Sequence, residues 1–97
     1  YKFYAFVQLD ALADGWSRDR ILSEIAALGY PALSGSCSEI YLEKCFQEAG
    51  LAPPERLPLA RELGETSLMF LVHPTITPEQ MAAYADAVRS VVEQACR

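Results

Sequence analysis

Apolar and polar positions along the chain follow two different periods. Lys2–Leu9 alternates, with Phe3, Ala5, Val7 and Leu9 on one side and Tyr4, Phe6 and Gln8 on the other, which predicts a strand. Leu68–Val72 is an unbroken apolar run and reads as a buried strand. Tyr30–Ser34 is shorter, and its Tyr30-Pro31 start suits a first-residue or edge strand. Between these lie stripes at helical spacing. Ile21, Leu22, Ile25 and Leu28 form one, and Met81, Tyr84, Ala85, Val88, Val91, Val92 and Ala95 form another.

The residues flanking the stripes supply start and stop signals. Ser17 is placed to cap the first helix, Trp16 and Ile21 stand at staple positions, and Gly29 follows as its terminator. Thr77, Pro78 and Gln80 form a complete start signal for the last helix, with Ile76 and Met81 at the staple positions. Ser36 and Glu39 have capping-box spacing, which predicts a helix over Ser38–Ala49 ended by Gly50. Leu57–Leu63 has room for two helical turns closed by Gly64. Asp14-Gly15, Pro53-Pro54 and His73-Pro74 mark turns.

The resulting order is β-α-β-α-α-β-α. It predicts an α/β chain of the α+β type, with residues 1–97 as a single domain. A small three-stranded, largely antiparallel sheet is expected, covered on one face by helices. Tyr4 and Phe6 make the other face too apolar for water, so it is expected to meet a neighbour. The chain opens inside a strand, which reads as a fragment whose N-terminal neighbour is missing.

Bulk properties narrow the function classes. At 97 residues, 52% hydrophobic and 22% charged, the chain can bury a real core and is not a disordered segment. A net charge of −5 with scattered basic residues argues against nucleic acid and anionic membranes as partners. No apolar stretch approaches the roughly 18–20 residues that span a bilayer, and no signal peptide is visible. Cys37, Cys45 and Cys96 are odd in number and match no zinc spacing, so free thiols and a cytoplasmic location are expected.

Few residues invite chemistry. His73 is the single histidine, and beside Pro74 it reads first as a turn residue. Ser34, Ser36, Cys37 and Ser38 surround Gly35 at an expected helix start, where free N–H groups favour anions, although structural capping alone explains the serines. Cys37 lacks a triad partner. Glu39 and Glu43 share the spacing of a solvated helix face. Lys2 and Lys44 are the only lysines, and neither has the desolvated setting that a Schiff base needs.

Two segments carry a family resemblance. Gly29–Phe46, GYPALSGSCSEIYLEKCF, and Glu65–Met81, ETSLMFLVHPTITPEQM, with LPLARELG before the latter, resemble the C-terminal part of the DegT-type nucleotide-sugar aminotransferases. The order of elements agrees, including the Ser17–Arg20 helix start. That resemblance implies a PLP-dependent parent of fold type I, with this chain as its C-terminal small domain. The PLP and its lysine would belong to the missing large domain, so the isolated chain is expected to be inactive. The parent would transfer an amino group, usually from glutamate, to a keto-sugar nucleotide in polysaccharide biosynthesis, and would work as a homodimer. Many members carry a His-Tyr pair in the loop after the second small-domain strand. Here Gly35 and Ser36 stand there, so the place of the loop carries over and those side-chain roles do not. Ser34, Gly35, Ser36 and Tyr41 are the expected substrate-binding residues, with no catalytic residue and no metal. The competing readings are a stand-alone ferredoxin-like ligand-binding or regulatory module, and a small enzyme built on Cys37 or His73.

Overall fold

A computed structural model describes residues 1–35 and 37–97. Its elements are β1 (Lys2–Phe6), α1 (Arg18–Ala27), β2 (Ala32–Leu33), α2 (Lys44–Glu48), α3 (Pro58–Thr66), β3 (Ser67–Leu71) and α4 (Pro78–Ala95). Short 3-10 turns at Leu9–Ala11 and Ile40–Leu42 complete the order. The sheet runs β1-β3-β2 and both pairings are antiparallel, as the sequence predicts.

β3 is central because it is apolar on both sides. Leu68 and Phe70 point to the helices and join Ile21, Ile25, Ala32, Val91 and Ala95 in the core. Burying each of the larger side chains, Leu, Ile, Val or Phe, contributes about 1.5–3 kcal/mol. Met69 faces the other way, in register with Tyr4 and Leu33, and is also buried. Ala5 and Val7 pack against the core, while Tyr4 and Phe6 remain on the open face, Phe6 at 55% exposure. The alternation read from β1 holds at Ala5 and Val7, although Phe3 is exposed and the strand ends at Phe6 rather than near Leu9.

Both long helices begin as their sequences predict. Ser17 Oγ accepts the Arg20 N–H at 3.1 Å, and Arg20 stacks its guanidinium over Trp16 at 4.2 Å. Thr77 and Gln80 form the reciprocal capping box, at 2.9 and 3.2 Å. Gly29 and Gly50 take positive φ after their helices, a conformation that costs glycine little. The end of α4 is stitched to the loop after β1. Ala13 N–H donates to Ala95 O at 2.7 Å, and Arg97 Nε donates to Leu12 O at 2.7 Å.

Three expectations are corrected. Leu28 ends α1 more than half exposed rather than in the core stripe. No helix spans Ser38–Ala49; a 3-10 turn and five-residue α2 replace it, with Glu43 extended between them. Gly64 does not close α3, which continues to Thr66 and passes directly into β3.

Candidate functional site

Gly35 and Ser38, between β2 and the Ile40–Leu42 turn, pack at one end of the open sheet face. Gly35 N–H donates to Ser67 Oγ at 2.9 Å. A Cβ on Gly35 would lie 2.8 Å from Ser67 Oγ and 3.4 Å from Tyr4 Cε1, so glycine alone allows this approach. A second close approach follows, since a Cβ on Gly64 would collide with Ser38 Oγ. Glycine within a helix is ordinarily unfavourable. Its use in α3 is to let the loop touch the helix.

These contacts enclose an open cleft of about 400 Å³ lined by Tyr4, Phe6, Gly35, Ser38, Ala60, Leu63 and Ser67. β1 and β3 supply its floor, α3 one wall, and the loop the other. Apolar surface dominates it, with the hydroxyls of Tyr4, Ser38 and Ser67 and the Gly35 backbone as the polar groups, the usual make-up of a small-molecule cleft. A wider hollow of about 730 Å³ lies by Phe6, Gln8, Arg56 and Arg61. Its cations already have carboxylate partners, Glu39 for Arg56 and Glu65 for Arg61.

Glu39 leaves helical geometry, at φ −113° and ψ 58°, and turns to Arg56 instead of standing on a solvated helix face. Arg56 Nε and Nη2 donate to its two carboxylate oxygens at 2.8 and 2.5 Å, a bidentate pair. Tyr41 O–H donates to the same carboxylate at 2.7 Å and accepts the Leu57 N–H at 2.8 Å. The Glu39 side chain is only 11% exposed. The Arg56 hydrogen bonds outweigh partial desolvation and hold its carboxyl at about 2, with Tyr41 assisting. Desolvation and the Glu39 hydrogen bond push the Tyr41 hydroxyl up.

Of the expected site residues, Gly35 lines the cleft. Ser34 is exposed beside it, and Ser36 lies outside the described residues. Tyr41 faces a neighbouring hollow with Gln47, Pro54 and Arg56. Because no long helix starts near Ser38, the anion site expected from a helix N-terminus is not formed there. Ser38, singled out in the sequence with Gly35, does line the cleft, while sequence reasoning missed Ser67 and the Glu39–Arg56 pair. Capping-box spacing predicts a helix at Glu39, and nothing local to Arg56 signals its partner.

The other candidates are quiet. His73 Nδ1 meets Thr75 Oγ1 at 2.5 Å, and His73 O accepts the Ile76 N–H, so the residue closes a turn. Cys37, Cys45 and Cys96 are free and exposed. Among the described residues no cluster suits a metal ion, and no helix is long and apolar enough to cross a membrane. Neither lysine suits PLP: Lys2 is exposed, and Lys44 is exposed and faces Glu48 at 3.5 Å.

No protein-family profile matches the chain, and no curated protein matches it. Two solved structures do. The aminotransferase from Psychrobacter cryohalolentis is 55% identical over 96% of this chain, with a TM-score of 0.90. A DegT DnrJ EryC1 StrS aminotransferase from Brucella abortus shares the fold at 19% identity over 81% of this chain, with a TM-score of 0.61. The chain spans 24% of the first structure's chain and 20% of the second's.

Proposed function

We propose that this chain, a domain of the DegT-type aminotransferases, is the C-terminal small domain of a PLP-dependent enzyme and forms one wall of its active-site cleft. The likeness to the Psychrobacter cryohalolentis enzyme, over nearly all of this chain and a quarter of that one, carries the reading. The parent transfers an amino group from an amino acid such as glutamate to a keto-sugar nucleotide. PLP, when bound, supplies the electron sink for that transfer. This chain has no lysine in a desolvated setting to hold it, so the cofactor belongs to the large domain.

The chain's own contribution is substrate contact and interface. Ser34, Gly35 and Ser36 mark the segment that faces the sugar nucleotide, and Tyr41 stands behind it with its hydroxyl engaged by Glu39 and Leu57. Hydroxyls and backbone N–H groups suit its polar groups, and the apolar floor excludes water. Tyr4, Phe6, Leu33 and Leu63 are exposed on or beside the open face, an apolar surface of the kind that packs against another domain. The large domain and the second subunit of a homodimer are its partners. Exposed free thiols at Cys37, Cys45 and Cys96 favour a reducing, cytoplasmic setting.

The test uses the full-length enzyme. It should show PLP absorbance, and the Ser34→Ala, Ser36→Ala double variant should raise KM for the keto-sugar nucleotide about tenfold, as for lost substrate hydrogen bonds. A full-length protein without PLP absorbance would overturn the aminotransferase reading. Unchanged KM in the double variant would remove this loop from the substrate site.

A further inference from the structure

Residues 38–56 are held to the body of the domain in an unusual way. Among the described residues, every backbone hydrogen bond of this stretch outside its helix is local, from Leu42 N–H to Glu39 O through Leu51 N–H to Phe46 O. Side chains therefore decide where the stretch sits. Glu39, Tyr41, Arg56 and the Leu57 N–H close a ring of hydrogen bonds across it. Leu57 is the N-cap of α3, the helix that forms the far wall of the cleft. Glu39 directly follows Ser38, which lies against Gly64 of the same helix. The ring thus joins the rear of the cleft loop to the start of the opposite wall.

We propose that Glu39, Tyr41 and Arg56 are positioning residues that fix Gly35 and Ser38 opposite α3 and so set the width of the substrate cleft. The proposal rests on the reading above that this loop faces substrate. Arg56 lies outside the cleft lining and acts only through Glu39 and Tyr41. Both Glu39 oxygens are occupied, and the Tyr41 hydroxyl uses its proton on Glu39 while accepting from Leu57. The ring has little hydrogen-bonding capacity left for a ligand, and its geometry suits holding rather than binding. A planar guanidinium is required to meet both oxygens at once, which an ammonium cannot reproduce.

The experiment compares Arg56→Ala, Arg56→Lys and Glu39→Gln in the full-length enzyme. Amide hydrogen exchange and steady-state kinetics are read on each. In Arg56→Ala, exchange over residues 37–42 should quicken about tenfold while α4 stays protected, the pattern of local release. KM for the keto-substrate should rise about fivefold to tenfold with kcat within twofold, and Arg56→Lys should recover part of the loss. Glu39→Gln keeps the side-chain shape and should reproduce the Arg56→Ala pattern if that variant folds poorly. Unchanged exchange over residues 37–42 in both would overturn the positioning ring. Faster exchange with unchanged KM would leave the ring standing and overturn its link to substrate. Full recovery of KM in Arg56→Lys would overturn positioning through bidentate geometry, since a single positive charge would then suffice. The Ser34→Ala, Ser36→Ala variant separates these results from failure of the substrate reading, because it leaves the ring untouched.

Discussion

Gly35 N–H donates to the Oγ of Ser67 at 2.9 Å, and this bond seats the cleft loop on the first residue of the central strand. Ser67 is buried, so its hydroxyl would be costly without a partner. The same closeness makes the position intolerant of any side chain. Gly35→Ala would place its Cβ 2.8 Å from Ser67 Oγ and 3.0 Å from Ser67 Cβ. The loop must then lift, losing the bond and the contact with Tyr4. Unfolding by denaturant should show a loss of about 1–3 kcal/mol, in the range of overpacking plus one hydrogen bond. A double variant, Gly35→Ala with Ser67→Gly, should regain part of it by relieving the collision. No regain would show that the steric term is not the cause.

Arg18 ties the first helix to the junction of α3 and β3. Its Nη1 donates to Gly64 O at 2.9 Å and Ser67 O at 3.0 Å, while Nε meets Asp19 at 2.7 Å. Gly64 O is in the last turn of α3, where carbonyls lack helical partners and a cation is favoured. The side chain is 16% exposed, so water replaces these bonds poorly. Arg18→Met, which keeps much of the stem, should lower stability by about 1–3 kcal/mol. Asp19→Asn should cost less than about 0.5 kcal/mol, because that carboxylate is largely solvated. Chemical denaturation of both variants checks the contrast. Equal costs would show that the ion pair, rather than the two carbonyls, carries the effect.

The sheet and the two long helices were legible because their signals are local. Alternation in β1, the apolar run of β3 and the caps at Ser17 and Thr77 each lie within a few residues. The cleft was harder. Ser36 and Glu39 have the spacing of a capping box, yet the Arg56 guanidinium competes for Glu39 from a distant part of the chain and draws it out of helical geometry. Gly64 reads as a helix stop until Ser38 is seen to occupy the space its missing Cβ leaves. Arg18 finds Gly64 and Ser67 only once α1 has packed on the sheet. In each case a tertiary partner overrides a correct local rule, and these overrides gather around the loop over the sheet.

The Glu39–Arg56 pair gives stability a defined dependence on acid. In the folded chain the Arg56 hydrogen bonds hold Glu39 at about 2, against 4.5 for an ordinary glutamate. A folded value below the unfolded one means that ionisation favours the fold. The contribution is complete above about pH 4.5 and is lost as the pH falls through about 2. Arg56 is 45% exposed, so solvent and salt reduce its size without changing its sign. Glu39→Gln removes the titrating group and keeps the shape. The stability gap between the parent chain and this variant should be flat near neutrality. It should narrow between about pH 4.5 and pH 2, and shrink at all pH values in about 1 M salt. Denaturant midpoints followed by circular dichroism across that range would measure it. A gap that stays constant down to about pH 2 would show that Glu39 ionises alike in the folded and unfolded chain, and that Arg56 does not hold its charge.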